Sequence, residues 1–151
     1  MSRHDRLAEL GIELPKVPAP AGSYLPAVRT GSLVYTSGQV PIVDGAVVAT
    51  GKVGADITPE YAAELARVCA LNALAAVDGL VGLDAVTRVV KVVGFVASAE
   101  GFTGQPGVIN GASDVLAEIF GETGRHARSA VGVAELPLGV PVEVELIVEV
   151  A

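Results

Sequence analysis

The sequence predicts one α+β domain in which a mixed β-sheet carries two helices on a single face. Two long segments repeat apolar residues at three-to-four spacing, and Val-rich runs bounded by turn signals lie around them. The last run alternates, with Val142, Val144, Leu146, Val148 and Val150 set against Glu143, Glu145, Ile147 and Glu149, so its valine side faces the helices. The order β-β-β-α-β-α-β-β over residues 1–151 fits a layered α+β arrangement.

In chain order, residues 3–10 form a short helix closed by Gly11, and Pro15 to Pro20 is extended because each proline restricts its predecessor. Strands follow at 24–29 and 32–37, and Asp44-Gly45 turns a hairpin between Ile42-Val43 and Ala46-Val47-Val48. Thr58 caps a long helix with Pro59 at its first position. Its apolar stripe is Ala62, Leu65, Cys69, Ala73, Ala76 and Leu80, and Gly79 or Gly82 ends it. On that stripe Cys69 reads as core filler, with no cationic neighbour to activate the thiol. A strand covers 86–97, a second helix runs from Pro106 or Asn110 to Phe120, and strands at 127–134 and 141–150 complete the chain.

The strand at 86–97 is expected to carry Val90 and Val92 on one side and Val89, Val93 and Phe95 on the other. Two helices cover only one face of a sheet. The uncovered apolar patch predicts a homo-oligomer, the alternative being a monomer with a partly apolar open face.

Composition narrows the function. A chain of 151 residues with a net charge of −7 suits one domain and disfavours a surface that tracks phosphates. No apolar run reaches the roughly 18 residues of a membrane span, so no membrane partner is expected. The first residues, Met1-Ser2-Arg3-His4-Asp5-Arg6, are charged and no apolar secretory core follows. The single Cys69 excludes an intramolecular disulfide and suits a reducing cytosol, which points to a cytoplasmic protein. His4 and His126 are too far apart in the chain to suggest a paired-histidine metal site, and Gly107 to Ser113 lacks the lysine of a phosphate loop. No metal or cofactor is expected.

The chemistry concentrates near the C-terminus. Gly124-Arg125-His126-Ala127-Arg128-Ser129-Ala130-Val131 places a guanidinium at the start of one strand, and Val142-Glu143-Val144-Glu145 places carboxylates on the next. A fixed cation beside a strand-borne acid can hold a small carboxylate and move a proton next to it. Alternation sets Arg128, Ala130 and Gly132 opposite Val131 and Val133, so Arg128 is expected to project away from the helices. There its planar fork suits a substrate carboxylate, the alternative being an interface salt bridge to Glu143 or Glu145. His126 shares the strand side of Arg128 if the strand begins early; otherwise it is a surface-loop histidine.

Two signatures carry a resemblance. Gly22-Ser23-Tyr24 with Gly31-Ser32-Leu33-Val34-Tyr35-Thr36-Ser37-Gly38-Gln39-Val40-Pro41 is similar to the N-terminal signature of the Rid family, reactive intermediate deaminases also called YjgF or L-PSP endoribonuclease-like proteins. Ala127-Arg128-Ser129-Ala130-Val131, Leu136-Pro137 and Val142-Glu143-Val144-Glu145 resemble its C-terminal signature. The likeness spans about residues 18–150, leaving residues 1–17 as an N-terminal extension.

What the resemblance implies is a chorismate-mutase-like fold assembling as a homotrimer, with sites at subunit interfaces. Arg128 aligns with the carboxylate-binding arginine, and Glu143 with a glutamate that positions or activates water, though it reads equally as a solvated strand carboxylate. Tyr24 matches a pocket tyrosine supplied by the neighbouring subunit, or simply packs; Glu145 reads as solvated or structural. The Ser37-Gly38 pair serves backbone geometry, with Gly38 allowing close approach to a ligand. The chain departs from the family at Leu25-Pro26, at Ser113 where active members carry asparagine (with Asn110 nearby), and at Ala130 in place of cysteine. It is also longer, before residue 18 and around 99–107.

Three functions follow. The first is an enamine/imine deaminase, a hydrolase like 2-iminobutanoate/2-iminopropanoate deaminase, converting small 2-imino carboxylates to 2-oxo acids and ammonia. The second is a non-catalytic small-carboxylate binder using the same Arg128. The third, ribonuclease or translation inhibitor, is disfavoured by the acidic balance.

Overall fold

The computed structural model describes residues 1–151. Helix α1 spans Arg3–Glu9 and opens on a capping box, in which Ser2 Oγ accepts from the Asp5 amide at 3.0 Å and the Asp5 carboxylate accepts from the Ser2 amide at 3.1 Å. It buries Leu7 and is tied down along its length. The Arg3 amide donates to Asp84 at 2.7 Å, Arg6 Nε donates to the Glu118 carbonyl at 3.0 Å, and the Arg3 guanidinium lies 4.9 Å from the Phe120 ring centroid.

After an extended segment come strands β1 (Ala27–Thr30) and β2 (Leu33–Thr36), then the short hairpin β3 (Ile42–Val43) and β4 (Ala46–Val47). Asp44 and Gly45 both take positive φ, 51° and 81°, which the two-residue turn requires. Helix α2 (Pro59–Val81) starts where Thr58 Oγ1 accepts from the Tyr61 amide at 3.1 Å, and ends at Gly82 with φ 81°. Strand β5 (Val86–Ala97), helix α3 (Gln105–Phe120), strand β6 (Ala127–Val133) and strand β7 (Val142–Val150) complete the order.

The five-stranded sheet runs β1-β2-β7-β5-β6, with β5 and β6 parallel across the α3 crossover and every other pair antiparallel. Both long helices pack on the face that carries Val142, Val144, Leu146, Val148 and Val150, all buried. Each such fully buried side chain contributes about 1.5–3 kcal/mol. Cys69 lies in this core, and burial pushes its thiol pKa well up, so it is an inert apolar filler.

Strand β5 corrects one expectation. Its alternation is broken between Val86 and Arg88 and again between Val89 and Lys91, where the register against β7 shifts. The extra residue at Val90 returns the strand to phase. Val89 and Val92 therefore both face the helices, fully buried, while Val90 is exposed; sequence alternation had set Val89 and Val92 on opposite sides. Beyond the helices, Val28, Tyr35 and Val131 stay exposed on the open face, beside half-buried Val93, Phe95 and Ile147.

Helix α3 sits unusually close to its neighbours. A Cβ at Gly111 would collide with the Ala63 carbonyl of α2, so only glycine lets the two helix backbones approach this far. That approach fixes the position of the α3 side chains at the site.

Candidate functional site

The chemistry-bearing residues fall into two groups on opposite faces of the sheet. In the first, residues 37–39 are stitched to β7: the Gln39 amide donates to the Val144 carbonyl at 2.8 Å and the Val144 amide returns a bond to the Gln39 carbonyl at 3.0 Å. This brings Ser37 and Gly38 beside Glu143, and a Cβ at Gly38 would collide with the Glu143 carboxylate. Ser37 is occupied locally, its Oγ donating to the Leu25 carbonyl at 2.6 Å and its amide to the Pro26 carbonyl at 2.8 Å. The Tyr24 hydroxyl accepts from the Ala21 amide at 3.0 Å, which folds the proline-rich segment back over the site.

Tyr24, Ser37, Gly38 and Glu143 thus line one cavity of about 450 Å³, whose remaining wall is largely proline and aliphatic. No Lys, Arg or His lines it. Burial raises the Glu143 pKa above the usual glutamate value, and the neighbouring Glu145 charge adds to the rise. A carboxyl group so placed is a stronger base than a solvated one.

The second group sits on α3 and the start of β6. Arg128 Nη1 donates to Asn110 Oδ1 at 2.8 Å and to Ser113 Oγ at 3.2 Å. Asn110 and Ser113 are three apart on α3 and present to one side. His126 joins them, with Nε2 2.9 Å from Ser113 Oγ and Nδ1 2.7 Å from the Gly124 carbonyl. A carbonyl only accepts, so Nδ1 carries the proton and, in the neutral ring, Nε2 accepts from the Ser113 hydroxyl. Burial lowers the His126 pKa, the bond to the Gly124 carbonyl opposes this, and the Arg128 charge lowers it further. An open cavity of about 700 Å³ adjoins Arg128, His126, Ser113 and Arg125.

Arg128 therefore does not point away from the helices. Its register partner is Val92, which in turn faces Leu146, and both are buried beneath the helices. Valine does not mark the helix side of β6. Instead it is Ala130 that packs against the core on the helix side, Gly132 lies against the Gln105 and Ser98 side chains, and Val131 turns to the open face with 44 % of its surface exposed. His126, otherwise readable as a loop residue, is half-buried in the Arg128 cluster. The role of Asn110 and Ser113 as a brace was missed, although their spacing on one helix face was available in the sequence. No three His, Cys, Asp or Glu side chains converge to hold a metal ion, and no helix is long and apolar enough to cross a membrane.

Sequence and fold both have known relatives. The family model described as "YjgF/chorismate_mutase-like, putative endoribonuclease" matches residues 4–150. The chain is 47 % identical to Protein TCP17 of Trypanosoma cruzi over 145 residues, covering 95 % of this chain and 91 % of that one. It is 34 % identical to the 2-iminobutanoate/2-iminopropanoate deaminase of Dermatophagoides farinae over 138 residues, 91 % of this chain and 93 % of that one. Among solved structures, Atu1372 of Agrobacterium tumefaciens, of unknown function, superposes with a TM-score of 0.91 at 45 % identity, covering 99 % of this chain and 92 % of that one. Escherichia coli TdcF with bound serine does so with a TM-score of 0.63 at 26 % identity, covering 90 % and 94 %.

Proposed function

The chain belongs to the YjgF/RutC/Rid family and has its chorismate-mutase-like α+β fold, and from that premise we propose that it is a deaminase hydrolysing small 2-imino carboxylates to 2-oxo acids and ammonia. The observation that carries this reading is the state of Arg128. Its guanidinium is held by two neutral oxygens, Asn110 Oδ1 and Ser113 Oγ, and it is absent from every ion pair in the molecule. A guanidinium oriented in this way keeps free donors for a substrate carboxylate. The serine bound to TdcF, a family relative, is an amino acid with a carboxylate of this kind.

Arg128 and Glu143 lie back to back in one chain, and the Glu143 cavity has no cation of its own. One small substrate meets both only where two copies adjoin, with Arg128 from one and Glu143, Tyr24, Ser37 and Gly38 from the other. The open sheet face supplies apolar surface for such an assembly, the homotrimer expected of the family.

In this composite site Arg128 anchors the carboxylate and the protonated imine carbon lies beside Glu143. Glu143 takes a proton from water as the C–O bond forms and the C=N π pair moves to nitrogen. The proton passes to that nitrogen, the C–N bond breaks with loss of ammonia, and the hydroxyl proton leaves as the 2-oxo group forms. Orientation lowers the barrier because the substrate is already activated, and general-base help adds about 10²–10⁴-fold. The test is the lifetime of a panel of 2-imino acids, generated in situ by an amino-acid oxidase, with wild type and Arg128→Ala. Faster ammonia release by wild type alone is expected. Equal lifetimes with and without wild type, together with retained 2-oxo acid binding, would make the protein a carboxylate binder instead.

A further inference from the structure

One residue of the Glu143 cavity has no part in that chemistry. Leu138 lies in a short helical turn, Pro137–Gly139, immediately before β7, with φ 62° and ψ 9°. This left-handed conformation suits glycine and is disfavoured for a leucine, whose Cβ crowds the following carbonyl. The side chain nevertheless stays 58 % exposed, so core burial does not compensate the strain. Strain of this sort clusters at active sites and ligand clamps.

Leu138 lines the same cavity as Glu143 and Tyr24. Around it stand Pro18, Pro20 and Pro26, which have no amide donors, together with Ile42. The polar side chains are four: Glu143 serves the reacting end, Ser37 Oγ donates to the Leu25 carbonyl, the Tyr24 hydroxyl accepts from the Ala21 amide, and Gln39 is buried with 7 % of its surface exposed. The rest of the wall therefore offers little to a hydroxymethyl side chain and much to a hydrocarbon one. A cavity of about 450 Å³ also has room well beyond a three-carbon acid.

We propose that this cavity selects 2-imino acids with branched aliphatic side chains over those with methyl or hydroxymethyl groups, and that Leu138 is the specificity-determining residue. The inference rests on the deaminase reading for the reaction, but the selectivity is also measurable by binding alone. Leu138 acts on the side chain of the substrate and not on the reacting atoms.

The test compares full-length wild type with Leu138→Gly and Leu138→Asn, both residue types that accept positive φ, so the variants retain the turn. Two quantities are read: kcat/KM for the leucine-derived and alanine-derived imines, and calorimetric affinity for the two corresponding 2-oxo acids. Wild type is expected to favour the leucine-derived compound by about tenfold or more. Leu138→Gly should lower that ratio several-fold, and Leu138→Asn, similar in size but polar, should lower it at least as far. A wild-type preference for the alanine-derived compound, or a ratio untouched by both substitutions, overturns the proposal while leaving the deaminase reading intact. A binding preference without turnover of either imine does the reverse, supporting the selectivity and removing the reaction.

Discussion

The two halves of the candidate site solve opposite electrostatic problems. On α3 and β6 a permanent cation is kept half in solvent and oriented by neutral hydrogen-bond acceptors. Beside β2 and β7 an acid is drawn into an apolar cavity, where burial disfavours its charge. A cation that must catch a dissolved anion gains from solvent access, whereas a base gains from losing it. Neither group meets the other inside one chain, so each keeps its capacity for a ligand.

The sharpest way to break this contrast is to remove the cation. Arg128→Ala is expected to cost about 10²–10³-fold in kcat/KM, as expected for a lost charge-assisted pair, and Arg128→Lys should recover little because one ammonium cannot replace the planar fork. Steady-state kinetics on the preferred imine decide this, and a loss below tenfold would place the carboxylate elsewhere.

Removing the acid should separate activity from stability. Glu143→Gln is expected to lower kcat by about 10²-fold or more, and also to raise stability at neutral pH. The folded pKa of Glu143 is raised, so the folded state binds its proton more tightly than the unfolded one. The resulting penalty is fully present above the folded pKa and disappears as pH falls below the ordinary glutamate value. Denaturant titrations should therefore show the variant more stable at neutral pH, with the gap closing in acid. The activity of wild type should rise with pH through a midpoint above that of an ordinary glutamate.

Smaller effects sharpen the description of the cationic half. Gly111→Ala, which forces α3 away from the Ala63 carbonyl, should cost about 1–3 kcal/mol in denaturant unfolding and displace the Arg128 brace. His126→Asn is expected to do least. The folded His126 pKa is depressed, so wild type loses stability as pH falls from the ordinary histidine value through the folded one. The variant should lack that part of the acid slope, which thermal melts across pH would show.

Much of this fold can be read from residues whose local chemistry dictates their conformation. Thr58, Pro59 and Gly82 mark both ends of α2, Asp44-Gly45 marks its hairpin, and the Val/Glu alternation of β7 names its buried face without ambiguity. The sides of β5 and β6 were not legible. In β5 an extra residue at Thr87 and another at Val90 each reverse the parity on which any face assignment depends. In β6 the usual sign of burial is inverted, because the small Ala130 packs against the core while Val131 goes outward. Arg128 and Glu143 stood out as residue types in the C-terminal segment, but their placement on opposite faces depended on that parity. Leu138 carried no signal either, since only backbone geometry separates a displayed leucine from an incidental one.

The back-to-back arrangement has a genetic corollary. In the proposed composite site, defects in Arg128 and in Glu143 fall on different copies, so copies bearing one lesion are expected to complement copies bearing the other. Mixed assemblies of Arg128→Ala and Glu143→Gln chains would regenerate some junctions with both groups intact, together with some that have neither. Two preparations inactive alone would then recover turnover once their subunits were exchanged.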